Sequence, residues 1–219
     1  AEATWPYDAA PDGLGTPGAD FLRSHGYDLG LANVMRSLDL PVDDSLLDRL
    51  AAEAAPHHAA YELRSFVGRV PDDLVTGWAE LVGGLSVEAP VGTLQRERES
   101  AEVADLRRHE ALVEAQGRTK YNTAAVAADG TVVAYTDLAT TRHDPANAFQ
   151  WGTLVAPAHR GHRLGLAVKV ANLRLFQSFP QPATRLRTWN AEVNAHMIGV
   201  NEALGFRAVE RLGEFQKKV

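Results

Sequence analysis

An α+β fold is what this chain of 219 residues predicts, a mixed, mostly antiparallel sheet with a central parallel strand pair and helices on both faces. Three observations carry that expectation. Tyr121–Ala128 and Thr131–Leu138 flank an Asp129-Gly130 turn, the pattern of an antiparallel hairpin. Strand-like Phe149–Val155, helical Arg163–Gln177 and strand-like Thr184–Trp189 form a crossover, which makes the two strands parallel. From residue 60 onward the order reads β-α-α-β-β-β-α-β-α-β, with room for one more strand.

Each element has its own reason. Residues 1–20 are rich in Pro, Gly, Asp and Ala, show no period and read as irregular. A short helix fits Asp20 to Ser24, ending at Gly26, and a strand fits residues 29–38. Ser45 to Ala55 reads as a helix with Leu46, Leu47 and Leu50 on one face, capped by Ser45 or Asp44. Tyr61 to Val67 is the next strand. Pro71-Asp72-Asp73 opens a helix, with Pro in the first turn and acids near the positive dipole end. Leu74, Trp78 and Leu81 form its stripe, and Gly83-Gly84 is expected to stop it. After a loop with Pro90 and Gly92, Ser100 caps a second helix to Gln116 that buries Val103, Leu106 and Val113 and ends at Gly117. In the crossover helix Leu164, Val168, Ala171 and Leu175 share a face, and Phe179-Pro180 ends it. Trp151 and Trp189 read as core aromatics of the crossover strands. Asn194 to Leu204 is a short helix closed by Gly205, and Phe206 to Val219 supplies the last one or two strands.

Composition narrows the function. A hydrophobic fraction of 45% supports a packed core. A net charge of −6 argues against dedicated nucleic-acid binding, which needs a broad basic surface. The absence of Cys excludes disulfides, cysteinyl catalysis and Cys-type zinc sites. No apolar run reaches the ~18 residues of a membrane span. The 8 histidines show no metal spacing, so no metal is expected. The chain begins Ala-Glu-Ala-Thr; a processed form, a tag remnant, a fragment and a removed signal peptide are all open readings.

The chemistry concentrates in Leu154-Val155-Ala156-Pro157-Ala158-His159-Arg160-Gly161-His162-Arg163-Leu164-Gly165-Leu166-Ala167. A strand ends at Pro157, a basic glycine-bearing turn follows, and a helix begins near Arg163. Gly161 and Gly165 let backbone approach an anion, and the N–H groups at a helix start point outward with the positive end of the dipole. His159, Arg160, His162 and Arg163 add cationic or donor groups inside an acidic chain, which points to a specific polyanionic ligand. Ordinary surface roles for the two arginines, and solvent-facing or supporting roles for the two histidines, are the plainer alternatives.

Three segments together resemble the GCN5-related N-acetyltransferase (GNAT) superfamily over roughly residues 60–219. Val155 to Gly165 looks like that family's acyl-CoA diphosphate loop. Asn194-Ala195-His196-Met197 stands in the place of the helix flanking the pantetheine arm, and Asn201-Glu202-Ala203-Leu204-Gly205-Phe206 is similar to the family's closing segment. Two departures stand out. The family loop is usually Arg/Gln-x-x-Gly-x-Gly/Ala, and here Arg163 replaces the middle glycine; its backbone can still donate, and its guanidinium can add a phosphate contact. Many relatives place a tyrosine general acid where this chain has Asn201, which cannot supply a proton near neutral pH. Phe21 to Leu40 looks like a second helix–Gly–aromatic–strand ending, similar to the tail of a preceding repeat in tandem GNAT proteins of the mycothiol synthase kind.

The resemblance implies an extension over residues 1–55, the remnant or tail of such a repeat, and an acyltransferase domain over 56–219. It implies acetyl-CoA as donor, direct attack by an amine in a ternary complex, a small-molecule amine acceptor, a cytoplasmic location, and a preceding GNAT-like domain or a homodimer as possible partners. Neither nucleic acid nor membrane is expected as a partner. Cofactor contacts fall on Leu154, Val155, Arg160, Gly161, His162, Arg163, Leu164, Gly165, Leu166, Asn190 and Asn194. For the catalytic roles the candidates are Asn201, Glu192 and Asp137, with His143, Asp144 and a relayed water also open. Asp137 ends a hairpin strand, where it can face an acceptor cleft or water. Asn194 can cap its helix, touch the ligand or do both. The alternative is a non-catalytic acyl-CoA-binding domain serving a partner.

Overall fold

The computed structural model describes residues 1–88, 92–94 and 100–217, with 86–88 as backbone alone. Pro90 and residues 218–219 of the expected last strand lie outside the described residues. In chain order the elements are β1 (Glu2–Pro6), α1 (Pro17–Ser24), β2 (Asp28–Asp39), α2 (Asp44–Ala54), β3 (Glu62–Val67), α3 (Val75–Glu88), α4 (Val103–Ala115), β4 (Arg118–Val126), β5 (Val132–Thr141), β6 (Asn147–Val155), α5 (Leu164–Gln177), β7 (Arg185–Ala191), α6 (Ala195–Ala203) and β8 (Arg207–Gln216). The chain forms two compact units: residues 1–38, 86–97 and 187–219 make the first, and residues 39–85 and 98–186 the second. The fold is α+β and its strands are mostly antiparallel.

In the second unit the strand order is β6-β5-β4-β3, every neighbouring pair antiparallel. The Asp129-Gly130 hairpin closes as expected, with Ala127 N–H donating to Thr131 C=O at 2.9 Å. Successive residues of β4 face opposite layers. Ala124 and Val126 pack with Leu74 just before α3, Trp78 of α3 and Leu106 of α4. Ala125 packs with Leu164 and Val168 of α5. Both β4 and β5 are buried on both faces along most of their length, β4 despite its Lys120, Asn122 and Thr123. The parallel pair starts in this unit: Thr184 and Arg185 N–H both donate to Ala146 C=O, at 2.9 and 3.2 Å, so β7 sets off beside the start of β6.

In the first unit the order is β1-β8-β2-β7. β1–α1–β2 and β7–α6–β8 are two β-α-β segments whose strands interleave, with β2 and β8 antiparallel at the centre. Each helix is followed by a left-handed glycine and an aromatic, Gly26 (φ 79) then Tyr27 and Gly205 (φ 96) then Phe206. Trp5, Ala19 and Phe215 form the buried cluster under α1.

Two expectations are corrected. Residues 1–20 are not irregular throughout. Glu2–Pro6 is a strand whose partners lie more than 200 residues away on β8, so no local period could announce it, and α1 begins at Pro17. Helix α3 runs through Gly83-Gly84 to Glu88. A Cβ on Gly83 would stand 3.0 Å from Ala101, so that glycine serves a close chain approach and not a helix stop. The tryptophans also differ from a core reading: Trp151 is half-buried and Trp189 is 38% exposed.

Candidate functional site

The basic turn lies wholly in the second unit. β6 ends at Val155, a short 3-10 turn covers Pro157–His159, and Arg160 is extended. Gly161 stands at φ 87, a backbone that side chains disfavour. Arg163 is the N-cap of α5 at φ 52, the one non-glycine with positive φ among the described residues. No side chain caps α5. The first helical bond runs from Ala167 N–H to Arg163 C=O at 3.0 Å, so the N–H groups of Leu164, Gly165 and Leu166 have no carbonyl within the helix. They carry the positive end of a helix of 14 residues. A Cβ on Gly165 would meet only Val155 Cγ2, at 3.8 Å, an ordinary contact. The fold does not demand glycine there; a closely approaching ligand would.

Glu53 of α2 and residues of the segment between α2 and β3 brace the turn. Tyr61 Oη lies 3.0 Å from His159 Nδ1, and its ring stands edge-on to that imidazole. His162 Nδ1 donates to His57 C=O at 3.2 Å. Arg160 Nε donates weakly to Val155 C=O at 3.4 Å. Arg163 hydrogen-bonds and ion-pairs with Glu53, which holds the Glu53 carboxyl below the usual carboxylate range. The Arg163 guanidinium is thus engaged with α2, not with the mouth of the turn.

Polar side chains of β4, β5 and α5 are buried together in this unit. Asp137 is 5% exposed, with Oδ1 accepting from Gly152 N–H at 2.7 Å and Oδ2 paired to Lys120 Nζ at 2.5 Å. Lys120 lies 5.4 Å from the centre of the Trp151 ring. Lys169 of α5 is buried, and desolvation pushes its ammonium down to about 7 against the opposing pull of Asp137. Asp144, in the loop before β6, accepts both its bonds from Asn147 Nδ2, at 2.9 Å each.

His143 precedes Asp144 in the same loop, its N–H donating to Thr141 Oγ1 at 3.4 Å; the remaining candidates lie in the first unit. Asn201 is fully buried, and its Nδ2 donates to Asn190 Oδ1 at 2.6 Å. Asn194 is the N-cap of α6, its Oδ1 accepting from Met197 N–H at 3.2 Å. Glu192 is held by Arg211 Nη2 at 2.9 Å. The structure therefore gathers Arg160 to Leu166 into one turn with Leu154 and Val155, and gathers Asn190 with Asn201. Sequence reasoning missed Lys120, Lys169 and Arg36. For Lys169 a signal existed, a lone lysine between Val168 and Val170 in an otherwise apolar helical run.

No family model matches this chain, and no curated protein does. Among solved structures it is similar to a tandem GNAT protein from the clavulanic acid biosynthesis pathway, solved without AcCoA, at 30% identity and TM-score 0.71, covering 98% of this chain and 62% of that one. It shares its fold with a GCN5-related N-acetyltransferase from Sphaerobacter thermophilus, at 14% identity and TM-score 0.61, covering 98% of this chain and 59% of the other. The glucosamine N-acetyltransferase region of a fungal multi-domain GH3 β-N-acetylglucosaminidase aligns at 16% identity and TM-score 0.58, covering 95% of this chain and 23% of that one. The chain thus spans less than two thirds of the length of each.

Proposed function

We propose that this chain, whose fold is that of the GNAT superfamily, binds acetyl-CoA at the α5 N-terminus and moves its acetyl group to an amine of a small molecule by direct attack. The observation that carries the reading is the uncapped start of α5, reached through Gly161 and opened by Gly165. Backbone N–H groups of Leu164, Gly165 and Leu166 would hold the diphosphate, with Arg160 and His162 beside them and Arg163 acting through its main chain. Leu154 and Val155 would offer backbone to the pantetheine amides, and a main-chain N–H there is the natural donor for charge developing on the thioester oxygen. Asn190 and Asn194 are the remaining contacts in this reading. The bound donor supplies an activated thioester, whose thiolate, with a pKa near 8.5, is a fair leaving group without strong acid help.

Asn201 is the positioning amide: it can orient an amine N–H or a carbonyl and cannot act as the acid. Glu192, partly exposed and bonded to Arg211 through Oε1, is a base candidate, as is His143. The engagement of both Asp137 oxygens favours a structural role for that residue. We also read residues 1–39, within the extension 1–55, as the closing β-α-β of a preceding GNAT-like repeat, on the interleaving of β1–α1–β2 with β7–α6–β8. A cytoplasmic enzyme fits this reading.

Titration of CoA against ATP tests the binding half; selective binding of CoA is expected, and equal binding would remove the reading. Free-thiol release from acetyl-CoA across a panel of amines tests the chemical half. The burial of Asn201, with no proton donor at that position, favours one second reading, a non-catalytic acyl-CoA-binding domain; tight CoA binding with no turnover on any amine would select it.

A further inference from the structure

Arg36 of β2 is 4% exposed, and its Nη1 has no hydrogen-bond partner. Among the described residues no carboxylate or carbonyl accepts from its guanidinium. Arg211 of β8, equally buried at 6%, shows what this unit does with a guanidinium it holds for structure. Arg211 donates to Tyr7 C=O and to Glu192 Oε1 and lies 4.3 Å from the centre of the Tyr7 ring, so that its Nε alone is left without a partner, whereas Arg36 has none at any nitrogen among the described residues. A buried guanidinium without an acceptor is strongly unfavourable, and a fold that needed only packing at this place would carry an apolar residue.

The register says what Arg36 faces. Glu192 N–H donates to Ala32 C=O at 3.1 Å, and Leu40 N–H donates to Thr184 C=O at 2.9 Å. Both bonds fit one unbroken antiparallel register of β2 on β7, which sets Val34 opposite Asn190 and Arg36 opposite Thr188. Val34, Arg36, Thr188 and Asn190 therefore share one face. Asn190 on that face holds Asn201, and Asn201 Oδ1 is buried with no donor. One face of the first unit thus carries an unanswered cationic donor and an unanswered amide acceptor. Asn190, half-buried, is its member nearest solvent.

We propose that Arg36 recognises a carboxylate on the substrate, with the Asn190–Asn201 amide pair orienting the neighbouring N–H or carbonyl. The inference rests on the acyltransferase reading and narrows its substrate class to carboxylate-bearing molecules. The carboxylate comes either on the acceptor, as in an amino acid, or on the acyl chain, as in a dicarboxylic acyl-CoA. A guanidinium meets either in the same planar, two-point way.

The test compares the full chain with Arg36→Met and Arg36→Lys. CoA is titrated first; equal affinity in all three is expected. One arm measures succinyl-CoA against butyryl-CoA binding, and the other measures turnover of amino acids against their amides with acetyl-CoA. The wild-type chain should favour the carboxylate member about tenfold or more in one arm. Arg36→Met should erase that preference and Arg36→Lys should restore part of it. No preference in either arm, or a preference that survives in Arg36→Met, overturns the proposal. Loss of CoA binding in the wild type would count against the acyltransferase reading alone. Succinate then tests the carboxylate site by thermal shift: stabilisation of the wild type but not Arg36→Met supports it, and equal response of both overturns it.

Discussion

Arg163 is held by Glu53 through its side chain while its own backbone stands at φ 52, a left-handed N-cap for α5. The GNAT loop pattern places glycine there, and the geometry gives the reason: glycine takes that backbone without strain. This chain keeps the turn with arginine and anchors that arginine to α2.

Arg163→Gly should therefore raise stability by about 1 kcal/mol through relief of backbone strain, since the exposed ion pair it loses contributes little. CoA affinity should stay within a few fold, because the main-chain donors remain. Urea denaturation and CoA titration check both. Clear destabilisation, or loss of CoA binding, would show the guanidinium to matter more than the backbone.

Asp137→Asn should lower stability by about 3–5 kcal/mol, because it removes the carboxylate that pairs the buried Lys120. Activity per folded molecule should change little. Chemical denaturation together with turnover, normalised to folded protein, separates the roles. Near-normal stability with abolished turnover would restore Asp137 as the base.

Much of the second unit was legible in sequence because its signals are local. The Asp129-Gly130 hairpin, the crossover through α5 and the glycine-bearing turn each lie within a few dozen residues. β1 was illegible, since the strand it pairs with is β8 at the other end of the chain. Gly83 misled because a glycine that permits close contact looks the same in sequence as one that ends a helix. The fates of Asp137 and Arg163 depended on Lys120 and Glu53, partners that no spacing rule brings to them.

Lys169 gives a pH signature. Its folded-state pKa is lowered to about 7 from 10.5. Below about pH 7 both folded and unfolded chains hold the proton. Between about 7 and 10.5 the folded chain releases it first, so the unfolded chain binds more protons and stability rises with pH. The stability of the wild type relative to Lys169→Met should climb across that window. Urea denaturation at a series of pH values checks it; parallel profiles for the two proteins would contradict it.

Asn201→Ala should lower kcat by about tenfold or more while leaving CoA affinity near that of the wild type, if the amide orients the reacting groups. Steady-state kinetics with a CoA titration separates the two. Equal kinetics would dismiss Asn201 from the chemistry.

The most direct measurement is CoA titration of Gly165→Glu beside the wild type, with a melting curve for each. The substituted side chain has room to enter the turn, its Cβ 3.8 Å from Val155 Cγ2, but sets a carboxylate against the main-chain donors of α5. The account predicts a near-normal melting temperature and loss of detectable CoA binding. Undiminished affinity in a folded Gly165→Glu chain would mean that the α5 N-terminus does not hold the coenzyme.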